Sequence, residues 1–211
     1  MNRVTFLVDG FNVYHSAKQA SHDIGSSTLW LDLKSLLSSY ISIFGKGANV
    51  EEIYYFSALA KHMDAKRHGT TTRHRNYIDC LKSTGVIIEL GRFKYKTIWC
   101  KNCLTDNPHY EEKETDVAIS IKLFELFHID KADTIVLVTG DTDLAPAVRA
   151  ATKVFPIKEV CFAFPYKRKN KELASITNNS FLIRNKRYAE HQFDDPYILP
   201  SGRVINKPSN W

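Results

Sequence analysis

Four aspartates stand at positions where an α/β protein gathers catalytic groups. Each follows a short apolar run or begins a helical stripe: Asp9, Asp116, Asp141 and Asp143. Because ligands of open α/β sheets bind outside the carboxyl ends of the strands, we expect these side chains to meet at one edge of a sheet. Crowded carboxylates repel one another unless a cation neutralises them. Oxygen ligands alone favour Mg²⁺ or Mn²⁺ over zinc, so the acids predict a divalent metal site.

A divalent ion held by carboxylates suits the hydrolysis of phosphodiester bonds. Such an ion lowers the pKa of a bound water and stabilises charge on the phosphate oxygens, and a second ion would lie roughly 3.5–4 Å from the first. Taken singly, two of the acids have ordinary structural roles, because Asp143 suits the N-cap of the next helix and Asp116 suits the positive end of a helix dipole. The conjunction of all four favours the metal site.

Two cysteines form a second candidate site. Cys100 and Cys103 have the spacing with which two thiolates hold a zinc ion, and His109 is near enough along the chain to be a third ligand. The local sequence offers no fourth ligand, and Cys80 would serve only if the fold brought its helix close. The alternatives are a structural zinc site and free thiols in a loop. Cys161 lies within an apolar run and is expected in the core.

The chain is basic, with 29 Lys and Arg against 23 Asp and Glu, a net charge of +6 and a pI near 9.0. Excess positive charge favours an anionic partner such as RNA. Six cations are candidate RNA-binding residues: Lys167, Arg168, Lys169, Lys171, Arg92 and Lys94. The first four follow a predicted strand that ends at residue 164, which places them at the same edge as the acids. The alternative for each cluster is a solvated surface.

Arg92 and Lys94 lie in a segment that mixes cations with aromatic side chains. Such a mixture binds unpaired bases by stacking. For Phe93 and Trp99 the favoured alternative is packing of the segment onto the main domain.

Short apolar runs alternate with helical patterns along the chain. Strands are predicted at residues 4–8, 53–56, 86–90, 134–138, 159–164 and 181–183, and helices at 31–44, 64–82 and 115–127. This alternation predicts an α/β fold whose mostly parallel central sheet is covered on both faces. Residues 1–187 are expected to form the main domain, with a cysteine-containing insertion at about 91–113. Residues 188–211 are expected to form an extended or irregular tail packed on that domain.

Composition excludes several classes of protein. With 211 residues, 44% of them hydrophobic and 25% charged, the chain is unlike disordered, collagenous or coiled-coil sequences. No stretch approaches the roughly 18 apolar residues of a membrane span, and the N-terminus lacks the apolar region of a signal peptide. Four cysteines are too few for a disulfide scaffold of this size. We therefore expect a soluble cytoplasmic protein that does not bind membranes, with its oligomeric state open, a homodimer included.

Three motifs occur in order along the chain: VDGFNVY at 8–14, EKETDV at 112–117 and TGDTDLAP at 139–146. Together they resemble the NYN domain family, the LabA-like branch of the PIN-like nucleases. Residues 199–211 also resemble the ending of bacterial members. The resemblance implies a PIN-like three-layer α/β/α fold and a metal-dependent ribonuclease site.

The resemblance also implies roles for individual residues. Asp9, Asp116 and Asp141 match positions that bind the metal directly, and Asp143 matches one that binds metal or orients the attacking water. Asn12 matches a polar companion that holds a carboxylate or a phosphate. Thr139 matches a small hydroxyl position near the metal, and its alternative is a strand-end threonine bonded to the backbone.

The leading hypothesis is a Mg²⁺- or Mn²⁺-dependent ribonuclease that cleaves single-stranded or loop regions of RNA with metal-activated water. The alternative is a non-catalytic RNA-binding or regulatory protein on the same scaffold, although the presence of all four acids argues against it. A phosphotransfer enzyme is the third candidate. The chain lacks a GxxxxGK[ST] loop, and it lacks the second acid two residues after Asp9 that an aspartyl-phosphate site needs.

Overall fold

A computed structural model describes residues 1–209 and 211. The strands of its main sheet are β1 Asn2–Asp9, β2 Ala48–Ala58, β3 Ile87–Cys100, β4 Thr105–Lys113, β5 Thr134–Val138, β6 Glu159–Phe164 and β7 Asn179–Leu182. Across the sheet their order is β4-β3-β2-β1-β5-β6-β7. All neighbours are parallel except β3 and β4, which form an antiparallel hairpin. The prediction of an α/β fold with a mostly parallel central sheet is confirmed.

Helices connect the strands. They are α1 Gly10–Ile24, α2 Leu33–Ser38, α3 Thr70–Ser83, α4 Thr115–His128, α5 Ala145–Val154, α6 Lys171–Ser175 and α7 Asn185–Glu190. Short 3₁₀ turns cover Ile41–Phe44, Lys61–Met63 and Thr142–Leu144, and a separate small hairpin pairs β8 Tyr197–Ile198 with β9 Val204–Ile205. None of the helices within the described residues has the length and apolar character that a membrane crossing requires.

Helices cover both faces of the sheet. Successive side chains of β1 point to opposite faces, so this strand contributes to the core on each side. Phe6 and Val8 belong to a core shared with α1 and α3, which also contains Ile78. Leu7 belongs to a second core shared with α4 and α5, which also contains Leu123. These two cores give the three-layer α/β/α arrangement that the sequence predicts.

Strand β1 passes directly into helix α1. Asp9 ends the strand, and its carboxylate caps the helix by accepting a hydrogen bond from the Asn12 N–H at 2.9 Å. Gly10 begins the helix, where a Cβ would lie 2.6 Å from the Phe56 carbonyl oxygen and 2.7 Å from the Tyr55 ring. Only glycine permits so close an approach. The first acid is therefore held at a fixed junction between a buried strand and a helix.

Segment 91–113 is part of the main sheet. Strand β3 continues through it to Cys100, and β4 returns beside it, with Arg92 opposite Lys113 and Cys100 opposite Thr105. The segment lies between the part of β3 that pairs with β2 and helix α4, where an insertion is expected, and it has the form of a hairpin that extends the sheet. Most side chains of the hairpin are exposed on both faces, so the segment lacks the apolar periodicity by which strands are recognised.

Two helix boundaries and one whole helix differ from the predictions. The helix expected over 31–44 is α2 followed by a separate 3₁₀ turn. The helix expected over 64–82 begins only at Thr70, after Gly69 with a φ of 77°. Helix α1 has no counterpart among the predicted helices.

The C-terminal segment packs onto the face of the sheet that α1 and α3 cover. It contains the end of α7 and the β8–β9 hairpin, so the expectation of a tail without regular elements is wrong. Phe193 and Trp211 lie against Trp30, with ring centroids 5.7 and 6.0 Å away. The Trp30 indole N–H also donates to the Asp194 carbonyl oxygen at 3.1 Å.

Candidate metal centre

Three of the acids meet at the carboxyl edge of the sheet. Asp9 ends β1, Asp141 follows β5, and Asp116 lies in the first turn of α4. Each offers one carboxylate oxygen, and these three oxygens lie within 4.8 Å of one another. Strands β1 and β5 are parallel neighbours with Val8 opposite Val138, so the acids that follow them share one edge.

Asp9 is the most buried of the three, with 5% of its surface exposed. Its Oδ1 accepts the Asn12 backbone N–H at 2.9 Å, and its Oδ2 accepts the Asn12 Nδ2 at 3.0 Å and the Thr139 Oγ1 at 2.9 Å. Burial raises the pKa of Asp9 in spite of these hydrogen bonds, and the charge of Asp141 raises it further. Three donors thus fix the orientation of a carboxylate that lies next to a second negative charge.

Asn12 and Thr139 connect Asp9 to the loop that carries Asp141. The Asn12 Oδ1 accepts the Gly140 N–H at 3.2 Å, and the Thr139 Oγ1 accepts the Asp141 N–H at 3.1 Å while it donates to Asp9. Of the two partners expected for Asn12, the structure shows the carboxylate. Thr139 makes the backbone bond considered as its alternative role, and it also donates to an acid of the cluster.

Asp116 is partly exposed at the start of α4. Burial is the largest cause that raises its pKa to about 6, and the charges of Asp141 and Asp9 add to the effect. Glu114, the residue that directly precedes this helix, has a φ of 84°, a region that residues other than glycine rarely adopt. Such strain persists only where the surrounding structure imposes it, and it often marks functional sites.

The donor set fits a hard divalent cation. Carboxylate oxygens are the ligands that Mg²⁺ and Mn²⁺ prefer, and three of them converge here. Within the described residues, the salt bridges to lysine and arginine involve other acids. The negative charge of the cluster is therefore available to a bound metal ion.

Asp143 lies beside this group and not within it. Its side chain is exposed, and its N–H donates to the Asp141 Oδ1 at 3.1 Å. The capping role considered for Asp143 therefore belongs to Asp141, which caps the 3₁₀ turn. The charge of Asp143 contributes to the raised pKa of Asp116, so it lies close enough to influence the centre.

A basic loop approaches the acids at Gly140. A Cβ on this glycine would lie 2.1 Å from the Arg168 carbonyl oxygen, so the two backbones are in direct contact. The Lys167 Nζ lies 2.7 Å from the Asp23 Oδ2, which anchors the loop to α1. Arg168 itself is exposed. The cations of this loop were identified from the sequence, but the role of Gly140 in allowing the loop to approach was not.

We expect Gly140→Ala to lower the free energy of unfolding by about 1–3 kcal/mol, the usual cost of overpacking. The obstacle is backbone, which cannot rotate aside as a side chain would. Gly47→Ala is the matched control, because its Cβ would meet only the Met1 Cα at 3.8 Å, and we expect a change within about 0.5 kcal/mol. Urea unfolding measures both variants, and equal midpoints for them would contradict the contact.

The other candidate RNA-binding residues lie on two parts of this edge. Lys169 and Lys171 are exposed in the same loop and at the start of α6, and Lys94 is exposed on β3. The Arg92 Nε lies 2.8 Å from the Glu114 Oε1, beside the first turn of α4. Cations therefore stand on both sides of the acids along the sheet.

An aromatic row links the start of α1 to the β3–β4 hairpin. The ring centroids of Phe11 and Phe93 are 5.9 Å apart, those of Phe93 and His62 are 4.7 Å apart, and His62 stacks on Tyr110 at 4.1 Å. Phe93 thus has the packing role expected for it, whereas Trp99 is 56% exposed and the expectation of packing there is wrong. Sequence reasoning missed Phe11 and His62, because both are distant from the hairpin along the chain.

The structure gives no support to the possible zinc site at Cys100 and Cys103. The described chain has four free cysteines: Cys80, Cys100, Cys103 and Cys161. Cys100 is paired with Thr105 next to the hairpin turn, whereas His109 is paired four residues farther along, about 14 Å away at roughly 3.4 Å per residue. Among the described residues, the acids form the one metal-sized group, and Cys80 and Cys161 are buried in the core. A hydrogen bond with Thr105 is the largest cause that lowers the pKa of Cys103 to about 7.

A solved structure supports the fold. A Vibrio parahaemolyticus protein of unknown function aligns with 86% of this chain and 93% of its own, at a TM-score of 0.55 and 18% identity. A putative UDP-N-acetylglucosamine 2-epimerase from Listeria monocytogenes aligns with 90% of this chain and 43% of its own, at 11% identity and a TM-score of 0.36, too low to carry an inference. No curated protein matches the chain.

The NYN domain matches residues 3–183, which include all three acids of the candidate metal centre. NYN domains belong to the PIN-like nuclease superfamily and are generally nucleases. The match spans most of the sequence, and the chain therefore belongs to the NYN domain family.

Proposed function

We propose that this protein is a ribonuclease that uses Mg²⁺ or Mn²⁺ and an activated water to hydrolyse phosphodiester bonds of RNA. The observation that carries the proposal is the convergence of three carboxylate oxygens within 4.8 Å, in a chain that belongs to a nuclease family. Asp9, Asp116 and Asp141 would hold the metal. Asp143, exposed next to Asp141, would bind metal or orient the water.

When bound, a divalent ion supplies the positive charge that lowers the pKa of water and stabilises the phosphate oxygens. The chain contributes the positioning. Asn12 and Thr139 hold the Asp9 carboxylate in place, as partners of metal ligands commonly do. Asp116 and Asp141 are only partly buried, so the centre is open to a phosphate from solvent.

The cations of the same edge would hold the RNA backbone. In the strand order, β1 and β5 lie between β3, which carries Arg92 and Lys94, and β6, which precedes the loop of Arg168. A strand that runs along this edge would meet positive charge on both sides of the acids. Unpaired RNA suits the site best, because the exposed aromatic side chains of the hairpin can stack only on bases that are free of a partner.

The test is cleavage of a labelled single-stranded RNA in Mg²⁺, in Mn²⁺ and in EDTA. We expect cleavage with either metal and none in EDTA, with recovery when excess metal is added back. A fully paired duplex of the same sequence should be cut more slowly. Binding without cleavage in every metal would contradict the proposal and favour the non-catalytic RNA-binding alternative.

Arg168→Gln is expected to weaken RNA binding and to reduce the dependence of that binding on salt. The loss of one phosphate contact should flatten the slope of log K against log salt by about 0.7 for a single strand. Filter binding between 50 and 200 mM salt measures the slope. Lys46→Gln is the control, because Lys46 is exposed just before β2, at the opposite edge of the sheet. An unchanged slope for Arg168→Gln would show that this loop does not contact the RNA backbone.

A further inference from the structure

A cavity of about 250 Å³ opens beside the metal centre, on the face of the sheet that α1 and α3 cover. Its wall includes Gly10 and Phe11, the two residues after Asp9. It also includes Ser57, which follows Phe56, the β2 partner of Asp9. Because neighbouring strands are about 4.8 Å apart, the cavity lies within one nucleotide's reach of the acids.

Aromatic rings form much of the lining: Tyr14, Tyr55, Tyr77 and Trp211. Tyr14 is 39% exposed and lies at the mouth, whereas Tyr55 and Tyr77 are buried. Protein interiors contain few voids larger than a water molecule, so a space of this size beside a candidate active site requires an explanation. Apolar rings around a slot of limited volume suit a flat, aromatic ligand.

Two polar side chains, Ser57 and His74, also line the cavity. The Ser57 Oγ and the His74 Nε2 are 3.5 Å apart, a long contact, and Ser57 also interacts with the Tyr55 hydroxyl. Burial lowers the pKa of His74 to about 4, so its ring is neutral at pH 7 and offers one donor and one acceptor. Neutral donors and acceptors match the edge of a nucleobase and not a phosphate.

Positive charge lies at the rim of the same cavity. Arg67 and Arg73 both line it. The Arg73 guanidinium is fixed by the His68 carbonyl oxygen at 2.9 Å and by the Thr70 Oγ1 at 3.0 Å. Within the described residues, neither arginine forms a salt bridge, and the surface cations that do so are others. Both guanidinium groups are therefore available to a phosphate at the mouth.

We propose that this cavity binds the base of the RNA nucleotide adjacent to the scissile phosphate, with Arg67 and Arg73 on that nucleotide's own phosphate. The proposal rests on the ribonuclease function proposed above and specifies its substrate, which must present an unpaired base at this position. The volume of about 250 Å³ is near the lower end of the roughly 300–1,000 Å³ of common ligand pockets, which suits a single base.

The test uses a set of single-stranded RNAs in which each nucleotide in turn is abasic. We expect one abasic position beside the cleaved bond to slow cleavage about 5- to 100-fold, the loss of one base stacked on an aromatic ring. Tyr14→Ala changes a partly exposed side chain at the mouth, and it should slow the intact RNA while the abasic RNA stays as it was. Tyr95→Ala, on the exposed hairpin, should change both RNAs by the same factor.

Equal rates for every abasic position would overturn the base pocket and leave the ribonuclease intact. If no RNA is cleaved, the ribonuclease fails, and the pocket is judged by binding in EDTA. There, quenching of a 2-aminopurine RNA by the wild type and not by Tyr14→Ala would support it, and no quenching would overturn it. Stabilisation by free AMP together with equal rates for all abasic RNAs would assign the cavity to a free nucleotide and overturn the proposal.

Discussion

Asp141→Asn is expected to reduce RNA cleavage by more than about 100-fold, while RNA affinity stays equal or rises. Replacing a residue that only supports a metal ligand costs about 10- to 100-fold, and loss of a ligand should exceed that. Asparagine keeps an oxygen for the hydrogen bond from the Asp143 N–H, so the loop should keep its shape. Removal of one negative charge also reduces repulsion of the RNA phosphates. Single-turnover cleavage and filter binding measure the two effects separately.

Glu51→Gln provides the matched control for this charge change. Glu51 is exposed near the start of β2, far along the sheet from the acids, so both cleavage and binding should match the wild type. If Asp141→Asn cleaved RNA at the wild-type rate, the assignment of Asp141 as a metal ligand would be wrong. Equal losses of cleavage and binding would instead indicate that the loop had lost its fold.

Asp116→Asn is expected to abolish cleavage and yet stabilise the metal-free protein. The pKa of Asp116 is raised to about 6, mainly by burial, from its ordinary value of 3.8. After allowance for partial exposure, the ionised carboxyl costs about 1–2 kcal/mol at pH 7.5. The variant should therefore melt about 4 °C higher in EDTA. Thermal unfolding followed by circular dichroism measures the difference.

The pH dependence has a definite sign. Well below pH 4 the carboxyl of Asp116 is protonated in the folded and unfolded states, so it costs nothing there. As the pH rises from about 4 through 6, the unfolded state ionises first and the wild type loses stability. The advantage of Asp116→Asn should consequently shrink as the pH falls from 7.5 to 5. Mn²⁺ should raise the melting temperature of the wild type far more than that of the variant, and a variant less stable than the wild type in EDTA would contradict the assignment.

Buried strands were the most predictable part of the fold. Residues 134–138 and 159–164 are predicted with the bounds that β5 and β6 have, because strands covered on both faces appear as continuous apolar runs. The β3–β4 hairpin has no such signal, since its exposed side chains carry charge and aromatic rings in no regular order. The small hairpin of the C-terminal segment is equally weak in sequence, because each of its strands has two residues.

The acids were predictable because a strand end fixes where the next residue lies. Asp9 and Asp141 follow apolar runs, so their position at one edge needs only a parallel sheet. The hydrogen bonds that hold these acids in place could not be predicted in this way. Thr139 donates to Asp9 across 130 positions, a contact that depends on the pairing of β1 with β5. The cavity lined by Tyr14, Ser57 and His74 joins three separate elements, and no spacing along the chain indicates that they meet.

The central place of β1 has a consequence for the order in which the protein matures. Strand β1 is synthesised first, but one of its two neighbours, β5, is separated from it by β2, β3, β4 and four helices. Pairings between distant segments form slowly, and chains fold from the N-terminal end as they emerge. A nascent chain without β5 lacks Thr139 and Asp141 and carries only part of the centre. A ribosome-bound chain is therefore expected to be inert towards its own messenger RNA until synthesis has passed β5.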